Sequence, residues 1–261
     1  MKPGRALVTG GAQRLGAAMA THLAEHGWDV AVHYNSSRGA AEDVAASVEA
    51  NGQRGPLLQA DLLDPTQMSA LVGQASAALG GPLTLLVNNA SIFEHDTIET
   101  ATLESWHRHF GSNLQAPFLL TQAFARQVPK GVRDGNGEPI ASGCIVNMID
   151  QRVFKLTPEF STYTIAKVGL WTLTQTAAQG LAPDIRVNGI GPGPTLRGGR
   201  QSEEHFAKQR RATVLQRGAN AADICSALDF ILVTPSLTGQ LICIDGGQHL
   251  GWQTPDVVGV E

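Results

Sequence analysis

Ala6-Leu7-Val8-Thr9-Gly10-Gly11-Ala12-Gln13-Arg14-Leu15-Gly16 runs a short apolar segment straight into a glycine-rich turn, and a stretch of helical periodicity, Ala17 to His26, follows it. Glycine permits the tight backbone path that such a strand-to-helix junction needs. Further apolar runs at Val30 to His33, Leu57 to Gln59, Leu83 to Val87, Cys144 to Met148, Ile185 to Ile190 and Leu241 to Ile244 read as strands. Between them, apolar residues recur with helical period over Ala40 to Ala50, Pro65 to Leu79, Leu103 to Gln127 and Tyr163 to Leu181. The alternation predicts an α/β fold, a doubly wound, seven-stranded, mostly parallel sheet flanked by helices on both faces.

Pro129 to Gly143 and Gly191 to Gly199 are rich in Gly, Pro and polar residues and read as loops. The strand-helix rhythm resumes after each, so residues 1–250 are expected to form a single domain, with 251–261 as a C-terminal tail. Apolar residues make up 43% and charged residues 16%, ordinary values for a globular chain with a substantial core. The net charge is -4 and the 19 Lys and Arg are scattered, which argues against a nucleic-acid partner. Cys144, Cys225 and Cys243 are far apart and lack C-x-x-C spacing, so buried free thiols are expected, with neither disulfide nor metal site. No secretory leader precedes Ala6 and no apolar run is long enough for a bilayer, which makes a cytoplasmic location the expectation and excludes a membrane partner.

The glycine turn carries the first chemical signal. Gly10, Leu15 and Gly16 bring backbone N–H groups at a helix start to where a pyrophosphate can sit, the arrangement of Rossmann-type dinucleotide sites. NAD-binding versions place a carboxylate after the second strand to bond the ribose 2'-hydroxyl. Here that place reads His33-Tyr34-Asn35-Ser36-Ser37-Arg38, without an acid. Arg14, Ser36, Ser37 and Arg38 can instead hold a 2'-phosphate, with Tyr34 and Asn35 beside them, so NADP(H) is the expected coenzyme. The bland alternative is a polar turn with a solvated arginine. Asn89, Ala90 and Ser91 follow the fourth strand on the ligand-binding edge of such a sheet. Asp61 and Leu62, past the third strand, are placed to border adenine, though Asp61 also suits a helix N-cap.

Tyr163 and Lys167 stand four residues apart, on one face of a helix. A nearby ammonium favours the phenolate and draws a tyrosine of pKa about 10 toward use as a general acid or base. A surface pair is the alternative, but this spacing arises by chance in only about one such chain in 25.

Together, the glycine turn, Asn88-Asn89-Ala90, Asn113, Tyr163 with Lys167, and Pro192-Gly193 resemble the short-chain dehydrogenase/reductase family over nearly the whole chain. The resemblance implies one doubly wound domain, a homotetramer or dimer, Lys167 on the nicotinamide ribose, Tyr163 transferring the proton, Asn113 holding a water relay, and Pro192 and Gly193 bordering the coenzyme. Apolar stripes on Leu103 to Gln127 and Tyr163 to Leu181, including Trp106, Phe110, Phe118, Leu119, Trp171 and Leu173, fit either a subunit interface or plain sheet packing.

Two departures narrow the resemblance. Arg14 stands where the family turn has its third glycine, and Asp150 where it has its active-site serine. Both are similar to the pteridine reductase branch, which includes dihydromonapterin reductases, as are Asn89-Ala90-Ser91 with Phe93 and the segment Asp245 to Leu250. Reducing a ring C=N bond needs a proton at nitrogen as hydride reaches carbon. A protonated Asp150 can supply it directly or through Tyr163. Phe93 can stack on a flat heteroaromatic ring, with Ser91 and Arg14 at its polar edge. Phe93 as a core residue and Asp150 as a loop cap are the plainer alternatives. The expected activity is therefore NADPH-dependent reduction of a pteridine-type C=N bond in a dihydropterin or dihydrofolate-like ring. A carbonyl reductase or alcohol dehydrogenase of the same family, with Asp150 only orienting Tyr163, is the first rival, and a non-enzymatic NADPH sensor the second. Gly193 to Arg211 is expected to cover the substrate.

Overall fold

The computed structural model describes residues 1–199 and 201–252. Seven strands, β1 (Arg5–Val8), β2 (Asp29–Tyr34), β3 (Leu57–Gln59), β4 (Leu85–Asn88), β7 (Gly143–Met148), β8 (Ile185–Pro192) and β9 (Leu241–Ile244), form one sheet in the order β3-β2-β1-β4-β7-β8-β9. Every neighbouring pair in it is parallel. Consecutive parallel strands need crossovers, and helices α1 (Arg14–Glu25), α2 (Arg38–Ala50), α3 (Pro65–Ala78), α4 (Leu103–Phe110), α5 (Ala116–Gln127), α6 (Ser161–Leu181) and α8 (Ala221–Val233) supply them. Two apolar clusters result, one on each side of the sheet. The first packs Met19 and Leu23 of α1 and Leu228 and Ile231 of α8 on Val8, Val32 and Val146. The second packs Met68, Leu71, Leu120 and Phe124 on Leu7, Leu86 and Val187.

The winding reverses between β1 and β4, and there the carboxyl ends of adjacent strands diverge into a crevice. Side chains hold its mouth. Thr9 Oγ1 accepts from Asn89 N at 2.9 Å and Ala90 N at 3.0 Å, and Asn89 Nδ2 donates to the carbonyls of Thr9 and Gly10. On the other flank Gly10 N donates to His33 Nδ1 at 3.0 Å, while His33 Nε2 donates to Ala60 O at 3.1 Å. Burial lowers the His33 pKa, so the ring is neutral and one face of the turn is tied to the ends of β2 and β3.

Three expectations need correction. The expected helix Leu103 to Gln127 is broken: α4 ends at Phe110, a π-helical turn spans Gly111–Gln115, and α5 begins at Ala116. Pro117 has no N–H for the preceding turn, and the wider π turn relieves the clash its ring would cause. The loop 129–143 contains an antiparallel pair, β5 (Val132–Arg133) with β6 (Pro139–Ile140), closed around Asp134 and Gly137 and tied to the sheet through Lys130 and Gly131 on Asp184. One helix lies outside the stretches named above: α8 buries Ile224, Leu228 and Ile231 at helical spacing behind an Asn220–Asp223 capping box. Beyond β8 the chain also forms α7 (Glu203–Arg211).

All three cysteines are free, Cys144 and Cys225 buried and Cys243 partly so. Among the described residues no helix is long and apolar enough to cross a membrane. Of the tail 251–261, residues 253–261 lie outside the described residues.

A Cβ at Gly16 would sit 2.0 Å from the Gly10 carbonyl and 2.5 Å from Asn89 Nδ2. Gly16→Ala is therefore expected to destabilise the chain by about 1–3 kcal/mol or more, seen as a lower Tm, as overpacking does elsewhere.

Candidate active site

The crevice opens into a cavity of about 680 Å³ at the carboxyl edge of the sheet. The glycine turn forms one end, with Gly10, Arg14, Leu15 and Gly16; Asn35, Asp61 and Leu62 form a second wall. Asn89, Ala90, Ser91, Phe93, Asp150, Tyr163, Lys167, Pro192 and Gly193 line the remainder. Tyr34, Ser36, Ser37, Arg38 and Asn113, all named from sequence, do not line it. Tyr34 packs in the core, Ser36 and Ser37 lie just outside at the start of α2, and Asn113 is fully buried behind the wall. Gln13, His33, Arg108, Ser112 and Met148 line the cavity without having been expected there.

Helix α1 presents its N-terminus to this space. No side chain caps it and its first turn has no acid, so its leading N–H groups are open to an anion. Arg14, in place of the family glycine, has φ of 54°, in the left-handed region glycine favours. Its guanidinium donates to Arg197 O at 2.8 Å and Leu196 O at 3.0 Å, joining the turn to the segment after β8. The start of α2 is also open, since Ser37 makes no capping bond and no acid lies in the first turn. Arg38, expected to reach a phosphate, is turned to Glu42 Oε1 at 2.9 Å.

At the other end the catalytic candidates converge. Tyr163 Oη donates to Asp150 Oδ2 at 2.9 Å, and Lys167 Nζ donates to Met148 O at 2.7 Å, 5.6 Å from the centre of the Tyr163 ring. Asp150 also accepts from Arg152 N and so caps the short helical turn Gln151–Phe154, the plainer of its two sequence alternatives, while its second carboxylate oxygen faces Tyr163. Burial holds the Asp150 carboxyl above the usual carboxylate range, against the hydrogen bonds from Arg152 and Tyr163. Burial lowers Lys167 to about 8, opposed by the charge of Asp150. Tyr163 goes the opposite way from the sequence expectation. Burial and then Asp150 push the phenol well above 10, because the ammonium is bonded to a carbonyl rather than to the phenolic oxygen. Tyr163 is thus a protonated donor in this arrangement.

Phe93 is no core residue. It is 46% exposed, its ring stacks on Phe160 with centroids 4.3 Å apart, and it meets Tyr163 edge-on at 4.7 Å. Asn113, delivered by the π turn, clamps the backbone just before it: Asn113 Oδ1 accepts from Ile92 N and Nδ2 donates to Ile92 O, at 2.9 and 2.8 Å.

Behind the tyrosine runs a buried polar chain with no mark in the sequence. Glu94 N donates to His109 Nε2 at 3.1 Å, so the opposite nitrogen of the neutral ring carries the proton and donates to Thr162 Oγ1 at 2.6 Å. The Thr162 hydroxyl in turn donates to Asp96 Oδ2, and Asp96 Oδ1 accepts from Thr162 N. Burial lowers the His109 pKa, which keeps the ring neutral. The chain joins the Phe93 segment, α4 and the first turn of α6 around Tyr163. Its partners are up to 66 residues apart, and no local spacing signals them. A second buried chain, Asn88 to Asn147 to Thr174, crosses from β4 through β7 to α6 with both links at 2.8 Å.

A family profile described as short chain dehydrogenase matches residues 5–207. The structure is similar to that of FolM alternative dihydrofolate reductase 1 from Brucella suis in complex with NADP, with TM-score 0.90 and 42% identity over 97% of this chain and 98% of that one. It is also similar, at TM-score 0.85 and 31% identity over 95% and 98% of the two chains, to the promiscuous reductase LugOII, which catalyses a keto-reduction. Among curated proteins, pteridine reductase 1 of Leishmania tarentolae is 31% identical over 94% of this chain and 96% of its own length.

Thr162→Val removes the hydroxyl that both accepts from His109 and donates to Asp96, leaving the buried His109 Nδ1–H without its acceptor and Asp96 with one bond fewer. The variant is expected to lose about 1–3 kcal/mol in urea denaturation.

Proposed function

Because the chain belongs to the short-chain dehydrogenase family, we propose that it is an NADPH-dependent reductase that transfers hydride to a pteridine-type C=N bond, in a dihydropterin or dihydrofolate-like ring. The observation that carries the substrate class is the Tyr163–Asp150 hydrogen bond facing the exposed ring of Phe93 in one cavity. The relatives named above support the same reading.

The residues present fit NADP(H). The open start of α1 and the crowding that excludes a Cβ at Gly16 suit a pyrophosphate against the backbone of Gly10, Leu15 and Gly16. A Cβ at Gly193 would lie 2.6 Å from Asp245 Cα, so the chain there also requires glycine. The lack of an acid after β2 and the open start of α2 support a 2'-phosphate held by Asn35, Ser36 and Ser37, with Arg14 using donors beyond the two it gives to the loop. Tyr34 supports that turn from the core. Asp61 and Leu62 border adenine, Lys167 holds the ribose next to nicotinamide, and Asn89, Ala90, Ser91, Pro192 and Gly193 flank the ring. When bound, NADPH supplies the hydride.

The chain's own residues supply the proton and the fit. In its acid form, which burial favours, Asp150 donates toward a ring nitrogen directly or through the Tyr163 hydroxyl beside it. Phe93 offers a flat face, with Ser91 and Arg14 at the polar edge. Asn113 fixes the Ile92 backbone that carries Phe93, a positioning role in place of, or beside, a water relay. The likeness to a keto-reductase supports ketone reduction as the second reading, with Asp150 only orienting Tyr163. An apolar groove of about 510 Å³ along α5 and α6, lined by Phe118, Ala125, Leu173 and Leu181 among others, supports assembly as a homo-oligomer, a tetramer or dimer.

Steady-state rates with dihydrobiopterin, dihydromonapterin and dihydrofolate against a panel of ketones test the substrate class. Pterin turnover is expected, and reduction of ketones alone would sink the proposal. Tyr163→Phe should lose most activity. Pterin turnover should fall as the pH rises through the raised pKa of Asp150, because the acid form is the donor, with a further decline at about 8 as Lys167 loses its proton. Asp150→Ser should remove the first of these and leave NADPH affinity unchanged. NADPH should bind about 10- to 100-fold tighter than NADH, as charge-assisted bonds to one phosphate imply; equal dissociation constants would contradict the phosphate site.

A further inference from the structure

We propose that His22, Glu25 and His26, at the carboxyl end of α1, form a binding site for a divalent cation of the zinc class, oriented by Asp229 of α8. One ring nitrogen of each histidine and one Glu25 carboxylate oxygen lie within 4.8 Å of one another, and the two imidazole centroids are 4.2 Å apart. The spacing His22-Leu23-Ala24-Glu25-His26 puts both histidines on one helical face, one turn apart.

The hydrogen bonds decide which nitrogens are available. His26 Nδ1 lies 2.8 Å from His22 O, and a carbonyl only accepts, so Nδ1 carries the proton and Nε2 keeps its lone pair. His22 Nε2 lies 2.8 Å from Asp229 Oδ2, and the carboxylate accepts there, which leaves Nδ1 of His22 as its lone pair. Each ring therefore has one nitrogen anchored to an oxygen, the outer support that orients metal-ligating imidazoles. The α1 carboxyl end adds the negative pole of the helix dipole, which favours a cation.

Two imidazoles and a carboxylate suit zinc or the neighbouring late transition metals better than magnesium or calcium. Bonds of about 2.0–2.2 Å to a tetrahedral centre bring donors to about 3.4 Å apart, and rotation of the exposed Glu25 side chain closes the gap, with water in the fourth place. Cys225, one turn before Asp229 on α8, is not among the donors that lie within 4.8 Å of one another. The donor set is nitrogen and oxygen alone. Such an ion links the end of α1 to α8 through the His22–Asp229 bond. It sits about 18 Å along α1 from the glycine turn, the length of a 12-residue helix. Its role is to brace the scaffold, apart from the reacting atoms.

The test uses tag-free full-length protein stripped with chelator, titrated with ZnCl₂ by calorimetry and with CoCl₂ by visible absorption. One ion per chain, a rise in Tm with zinc, and a cobalt spectrum without thiolate charge-transfer intensity are expected. His22→Ala and His26→Ala should each weaken binding at least tenfold, and Asp229→Asn by about 10- to 100-fold, all with unchanged circular dichroism and NADPH-dependent turnover. No binding at millimolar zinc, undiminished binding in the double histidine variant, or a thiolate signature would each overturn the proposal. Two further histidine–carboxylate pairs that reach the surface, His95–Glu159 and His249–Asp245, offer one imidazole each and are the sites that undiminished binding would implicate.

Discussion

One hydroxyl holds the two halves of the sheet in register where they part. Thr9 takes the N–H groups of both Asn89 and Ala90, and so joins the end of β1 to the end of β4 at the single place where the winding reverses. The glycine turn begins at the next residue. With Asn89 holding its carbonyls and His33 its first N–H, the turn has no freedom to drift, and the open start of α1 is aimed into the crevice. Everything on the floor of the cavity takes its position from this junction.

The opposite wall is built differently, from polar groups withheld from water. Lys167 and Tyr163 are almost wholly buried, and such groups are tolerated only when each donor finds an acceptor. Lys167 finds the Met148 carbonyl, Tyr163 finds Asp150, and the two buried chains behind them end in backbone. A single hydrogen bond of this kind adds little net stability, whereas a broken one costs the full desolvation of its partner. The wall is therefore rigid because its alternatives are expensive, which suits a site that must hold a proton at one atom.

The strands and the candidate pocket were largely legible because both are local patterns. Apolar runs of three to six residues, glycines at a junction, and a tyrosine one helical turn from a lysine can each be read within a short window. What the sequence concealed depends on distance. His109, Thr162 and Asp96 meet only after α4 and α6 have packed, and the π turn at Gly111–Gln115 arises from a proline that also suits the first turn of a new helix. The direction of the Tyr163 shift was misread for the same reason: four-residue spacing brings the ammonium near the ring, but the Met148 carbonyl decides where it points. Helix α8 carries a cap and a buried stripe that mark it, against a background of mostly apolar residues that blurs the period.

The bond from Arg14 to the segment after β8 grips main-chain carbonyls, those of Leu196 and Arg197. Every residue type supplies that acceptor. Side chains along this flap can therefore be exchanged without unfastening it, so its own sequence is free to diversify while the glycine turn stays unaltered. The cost of that freedom falls on one residue: an arginine held at a backbone angle better suited to glycine, whose replacement would free the flap whatever its own sequence.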